Sequence, residues 1–206
     1  MNDLTLRIRN KLMHPANGIK GRWYKHFNRW KFRFLGVHLG SDADIRNKVY
    51  FEVNSGATVT IGHQFVLYSG DNLSPLCADS HASICVYPNA SLQIGHNSGM
   101  SGGTIWCTHQ IKIGNFVNIG GNCTILDGDM HNISWQQRRK DRKESISYKK
   151  APVIIDDDVW IGANCTILKG VHIGTRSIIS AGSVVINDIP SDCIAAGNPC
   201  VVVKHL

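Results

Sequence analysis

Aliphatic residues recur at every sixth position through Ile113, Ile119 and Ile125, and the next slot in that series is His131. No repeat resumes until about Val153, so a stretch of about twenty residues leaves the pattern with an imidazole at its entrance. Excursions of that length without a repeat of their own are usually functional. An imidazole, with a pKa of about 6.5, suits the removal of a proton from a weakly acidic hydroxyl at neutral pH. Asp127 and Asp129 precede it in Asp127-Gly128-Asp129-Met130-His131. Either carboxylate could hold the second ring N–H and fix the tautomer, or could serve as a turn residue satisfying local backbone donors. Among the ten histidines, His172 at a repeat turn and His109 just before Ile111 are the main competitors.

Composition narrows the setting. The 206 residues fit one domain with an appended arm, and a hydrophobic content of 43% against 18% charged gives material for a core. No run approaches the roughly 18 apolar residues of a membrane span. Residues 1–11 lack the continuous apolar stretch of a secretory signal, so none is expected. Seven cysteines without a CxxC pair suggest neither a disulfide framework nor a zinc ribbon, and a reducing cytoplasm fits them. No metal is expected, because no ligand cluster has suitable spacing. The net charge of +7 is unevenly placed. Residues 1–50 carry eleven Lys/Arg against three acids, residues 138–150 carry seven against two, and the remainder is acidic.

The elements that position His131 follow from the period. Ile155, Ile161, Ile167, Ile173, Ile179 and Val185 occupy six consecutive hexad slots, and Val159, Cys165, Val171, Ser177 and Ser183 follow the first five by four residues. A period of six fits neither a helix nor an alternating strand. It fits a short strand and a sharp corner repeated three times per coil, with Gly or Asn at the bend. Trp160 falls at a corner where a small exposed residue is usual, so it packs against the excursion or walls a cleft. Asn118 is a corner asparagine or a group that orients a substrate. Lys169, Arg176 and Lys204 are the Lys/Arg side chains of the C-terminal half of the solenoid and its tail.

These features resemble the hexapeptide-repeat acyltransferases. The resemblance is carried by IKIGNFVNIGGNCTILDGDMH, by APVIIDDDVWIGANCTILKGVHIGTRSIISAGSVVINDIP and by the closing AAGNPC, with sugar and polysaccharide O-acetyltransferases related to the galactoside and maltose enzymes most similar. It implies an all-β, left-handed parallel β-helix, a homotrimer, and acetyl-CoA in the cleft between adjacent prisms. It also implies acetyl transfer to a saccharide hydroxyl, with His131 as general base and Asp127 or Asp129 behind it. Trp160 matches a tryptophan beside the family's active site, Asn118 is a candidate for the acceptor, and Ala163 and Ala181, with Gly162 and Gly182 alongside, match the groove for the pantetheine arm. Lys204 matches a phosphate-contacting arginine, and Lys169 is a second candidate. Two further basic positions of the family are Val201 and Asn187 here, a departure from its pattern. Amino-sugar N-acetylation, antibiotic acetylation and a non-enzymatic scaffold are the alternative readings.

The expected layout is an arm over residues 1–44, a solenoid of about seven coils over 45–192 interrupted by a loop at 132–152, and a closing segment over 193–206. In IKGRWYKHFNRWKFRFL, aromatic residues 23, 27, 30 and 34 recur at helical spacing among basic ones. That helix either caps the first coil with its aromatic face or lies on an anionic membrane at the cytoplasmic face. No nucleic-acid motif accompanies it. The basic stretch of the loop, KDRK with Lys149-Lys150, is solvated charge or a contact for an acidic acceptor or for the 3′-phosphate of CoA.

Overall fold

The computed structural model describes residues 19–70, 73, 74, 76, 80–140 and 148–206, with side chains from Trp23 onward. The start of the arm and residues 141–147 of the basic stretch lie outside the described residues. A helix, α1 (Ile19–Phe34), leads into coils of three short strands each. The first coil is β1 (His38–Leu39), β2 (Asp44–Arg46) and β3 (Tyr50–Val53); the second is β4 (Thr58–Ile61), β5 (Val66–Tyr68) and β6 (Ser83–Val86). The third is β7 (Ser91–Ile94), β8 (Gly99–Ser101) and β9 (Thr104–Cys107); the fourth is β10 (Gln110–Ile113), β11 (Asn118–Ile119) and β12 (Thr124–Leu126). After an excursion carrying α2 (Trp135–Lys140) come β13 (Val153–Ile155), β14 (Trp160–Ile161) and β15 (Thr166–Ile167), then β16 (His172–Ile173), β17 (Ile178–Ile179) and β18 (Val184–Val185). A partial coil supplies β19 (Cys193–Ala196), against which β20 (Val201–His205) folds back antiparallel.

Every third strand stacks in parallel on its predecessor, giving three sheets around one shaft, a left-handed parallel β-helix. First strands form one six-stranded sheet, third strands another, and second strands with β19 and β20 an eight-stranded one. The hexad residues Ile155, Ile161, Ile167, Ile173, Ile179 and Val185 fall one per sheet in rotation, all fully buried. The small slots are buried as well, and their serines are satisfied locally: Ser177 Oγ donates to Pro190 O at 2.6 Å and Ser183 Oγ to Ser180 O at 2.6 Å.

Three features depart from the sequence reading. The solenoid begins at β1, which pairs with β4, rather than at residue 45; its corner glycine and apolar slots fall in a stretch too short to establish a period. A second departure from the coil lies between β5 and β6, its neck closed by Ser69 Oγ donating to Lys48 O at 2.5 Å and accepting Ala82 N at 2.8 Å. Lastly, α1 caps the first coil with the face opposite its aromatic stripe. Phe32 is fully buried and stacks on Phe51 at 3.8 Å. Asn28 Nδ2 donates to Ile45 O at 3.1 Å and Asn47 O at 2.8 Å, and Lys31 Nζ donates to Val49 O at 3.1 Å. Among the described residues the first coil has no earlier coil to pair with, and these donors satisfy carbonyls that would otherwise form a raw edge.

At the corner after each first strand, backbone meets backbone. A Cβ on Gly62 would lie 2.6 Å from the carbonyl carbon of Gly95, and one on Gly95 would lie 2.5 Å from that of Gly114. Side chains tie the same corners together: Ser41 N donates to His63 Nδ1 at 2.9 Å, His63 N to His96 Nδ1 at 3.0 Å, His96 N to Asn115 Oδ1 at 2.8 Å, and Asn115 N to Asp157 Oδ1 at 2.7 Å. Gly95→Ala is expected to cost about 1–3 kcal/mol. Urea unfolding reads this as a lower midpoint, and an unchanged midpoint would contradict so close a stacking.

Candidate active site

Asp127 starts the long excursion and is fully buried. Its carboxylate accepts Thr108 N at 2.6 Å, Thr108 Oγ1 at 2.7 Å and His109 N at 2.7 Å, all from the corner of the preceding coil. Burial, and then the Asp127 charge, push the neighbouring Cys107 thiol up to about 12. The carboxylate is thus bound to the coil beneath it, where it satisfies local backbone donors.

A short antiparallel stem closes the root of the excursion. Asp129 N donates to Lys149 O at 3.1 Å, Ala151 N donates to Asp127 O at 3.0 Å, and Gly128 bridges Lys150. The excursion therefore leaves the coil at 127, five residues before the expected 132. Met130 takes the left-handed φ of 60°, unusual for a side chain of its size, and His131 follows it. The imidazole is exposed and makes no hydrogen bond among the described residues. It lines a groove of about 560 Å³ with Tyr87, Pro88, Trp106, Met130, Tyr148 and Lys150. Tyr87 and Trp106 stack at 5.9 Å, while Lys150 Nζ lies 5.1 Å from the centre of the Tyr148 ring and donates to Thr108 O at 3.1 Å. Burial raises the Tyr148 hydroxyl above its ordinary value.

Asp129 sits two residues from His131 and pairs with Lys169 at 2.5 Å, leaving its Oδ2 buried without a partner. Lys169, a candidate phosphate contact from the sequence, is paired with Asp129 at the excursion root. Arg176 is likewise engaged, by Asp192 at 2.6 Å. Lys204 is exposed on β20, opposite Ile194. The competing histidines are occupied differently: His172 Nε2 pairs with Asp156 at 2.8 Å, and His109 lies next to Thr108 with its backbone N–H on Asp127.

Asn118 and Trp160 lie elsewhere in the chain. They are register partners on β11 and β14, both exposed on the eight-stranded sheet, and share a groove of about 390 Å³ with Val66, Tyr68, Gly99 and Ser101. Just past Trp160, Ala163, Ala181 and Gly182 leave the prism edge smooth and at least partly exposed. Gly162 has a packing reason to lack a side chain, since its Cβ would lie 2.5 Å from Ala181 N. The expected site residues thus fall into two clusters: Asp127, Asp129, His131 and Lys169 at the excursion root, and Asn118, Trp160, Gly162, Ala163, Ala181 and Gly182 on another face. Lys150 belongs to the basic stretch that the sequence had offered as an acceptor contact, whereas Tyr87, Trp106 and Tyr148 were not anticipated. Trp106 occupies an outward slot between buried Ile105 and Cys107, visible only once the upstream coils are in register.

Comparison with known proteins agrees with this architecture. Residues 152–186 match the family model described as the hexapeptide repeat of succinyl-transferase. The chain is 42% identical over 96 residues to a galactoside O-acetyltransferase of Lactococcus lactis, covering 47% of this chain and 44% of that protein. It spans about a quarter to a half of the length of the curated relatives it matches first. In fold it is similar to AntD, an N-acyltransferase from Bacillus cereus solved with dTDP-4-amino-4,6-dideoxyglucose and coenzyme A, with a TM-score of 0.64, 17% identity, and coverage of 86% of this chain and 88% of that one. It is also similar in fold to a maltose O-acetyltransferase from Clostridium difficile, with a TM-score of 0.52, 24% identity, and coverage of 100% and 89%.

The Asp127 contacts carry a stability prediction. Asp127→Ala strands two backbone N–H groups and a hydroxyl, and is expected to cost about 3 kcal/mol. Calorimetric melting measures this; a melting temperature equal to that of the parent chain would contradict an anchoring contribution of the carboxylate.

Proposed function

We propose that this chain, whose residues 152–186 match the hexapeptide repeat of succinyl-transferase, is an acetyl-CoA-dependent O-acetyltransferase that modifies a saccharide hydroxyl, as in a surface polysaccharide or its precursor, and works as a homotrimer. The observation that carries this reading is His131, held at the root of a stapled excursion beside a groove walled by Trp106 and Tyr87. Aromatic faces suit the apolar face of a sugar ring, and the exposed imidazole is free to act as base.

Acetyl-CoA supplies an acyl carbonyl already activated as a thioester. The His131 imidazole takes the acceptor's hydroxyl proton as the oxygen attacks that carbonyl, and returns the proton to the departing thiolate. The products are an acetyl ester and free CoA thiol, with no acyl-enzyme. Asp129, whose Oδ2 is buried and unpartnered, is the nearby carboxylate suited to steadying the imidazolium. The smooth edge of Ala163, Ala181 and Gly182 beside Trp160 fits a pantetheine arm, whose amides can pair with exposed backbone. With Lys169 and Arg176 engaged, Lys204 is the candidate for a phosphate.

The two clusters motivate the trimer. Trp160 and Asn118 lie on a different face from the His131 groove, so the clusters can meet across a boundary between protomers. The free thiols of the six described cysteines support a reducing, cytoplasmic setting. An amine acceptor is the second reading, favoured by the structural likeness to an N-acyltransferase.

His131→Ala is expected to keep CoA affinity and oligomeric state while losing about 10²–10⁴ in turnover. Thiol release, calorimetry and light scattering read the three quantities. Near-normal turnover in the folded variant would remove the histidine from the mechanism, and faster thiol release with amines than with hydroxyl acceptors would select the second reading.

A further inference from the structure

We infer that the outward face of α1 docks on an anionic lipid surface. The helix has two opposite faces with different tasks. Asn28 and Phe32 close the first coil, whereas Trp23, Phe27, Trp30 and Phe34 point away from it. Those four side chains are 57%, 37%, 59% and 75% exposed. They do not hide against one another by collapsing; they stack in sequence along the helix, with ring centres 4.9, 6.0 and 5.2 Å apart. A continuous bar of four large rings is an unusual thing to present to water, and contiguous apolar patches of this kind mark interaction sites.

Charge identifies the occupant. The helix contains no acidic residue. Lys25 faces Asp44 of the first coil at 3.5 Å and Lys31 is used on Val49 O, so these cations hold the cap in place. Arg29 and Arg33 are left for the outer side, where with His26, Trp30 and Phe34 they border a hollow of about 520 Å³. Guanidinium groups beside aromatic rings match the headgroup zone of a bilayer, where phosphates lie next to the upper acyl chains. The sequence before the helix continues the bias, with Arg7, Arg9 and Lys11 against Asp3. A second copy of the same face would set Arg29 and Arg33 against their own counterparts, which argues against self-association there. Capping and membrane contact, alternatives at the level of sequence, are compatible once each has its own face. The inference stands apart from the proposed acetyl transfer, since lipid binding and turnover are read separately.

The test is sedimentation of the full chain with vesicles. Binding is expected to phosphatidylcholine vesicles containing phosphatidylglycerol, with little binding to phosphatidylcholine alone, and to weaken as salt rises. Trp23→Ser, Phe27→Ser, Trp30→Ser and Phe34→Ser combined should abolish it without moving the melting temperature, because the capping face is untouched. Arg29→Glu with Arg33→Glu should weaken it on the order of 10- to 100-fold. Equal binding to both vesicle types, no binding to either, or full binding by the four-ring variant would overturn the inference. So would lipid-independent self-association that the four-ring variant dissolves, since the stripe would then be a contact between copies.

Discussion

Backbone stacked on backbone at the β-sheet spacing of about 4.8 Å is the constraint from which the rest of this molecule follows. Each coil must close a triangle of nearly fixed perimeter, so one aliphatic side chain per face fills the shaft and a small residue fills each corner. At the stacked corners of Gly62, Gly95 and Gly114 there is no room for a Cβ. Such a shaft offers no internal cavity for a ligand. Chemistry has to be placed on an outer face or carried by a segment that leaves the coil, and a departing segment must have its root tied down. Asp127 supplies that tie by spending its charge on the N–H groups of Thr108 and His109 in the coil below.

The ends pose a different problem from the middle. Inner coils satisfy their backbone groups with the coils above and below, while the first coil has a neighbour on one side alone. Asn28 and Lys31 of α1 complete it with side-chain donors, and Phe32 covers the apolar shaft. Against the last full coil, β19 stacks in parallel and β20 then turns back antiparallel, which ends the stack without offering another parallel strand.

Legibility in the sequence tracked periodicity. The hexad from Ile155 to Val185 placed each aliphatic in the shaft because a fixed perimeter leaves a strict trace in the chain. The coils before Ile111 obey the same geometry with larger and more varied corner residues, so the start at β1 and the departure between β5 and β6 were invisible. The histidine at the excursion root was legible as a break in the period. The contacts around it were not: Asp127 meets Thr108 and Lys169 meets Asp129, partners 19 and 40 residues apart in sequence. For α1 the pattern was clear and its meaning was not, since periodicity reveals two faces without saying which one meets the coil.

The catalytic proposal depends on a site shared between protomers, because the His131 groove and the Trp160–Asn118 groove occupy different faces of one prism. Subunit complementation tests this most directly. His131→Ala and Trp160→Glu chains would be assayed for acetyl transfer separately, then unfolded together and reassembled at equal ratio. A shared site predicts that each variant alone is inactive, and that random trimers regain about a quarter of parental activity, because each site draws one residue from each neighbour. A mixture no more active than its separate components would contradict a site built between protomers.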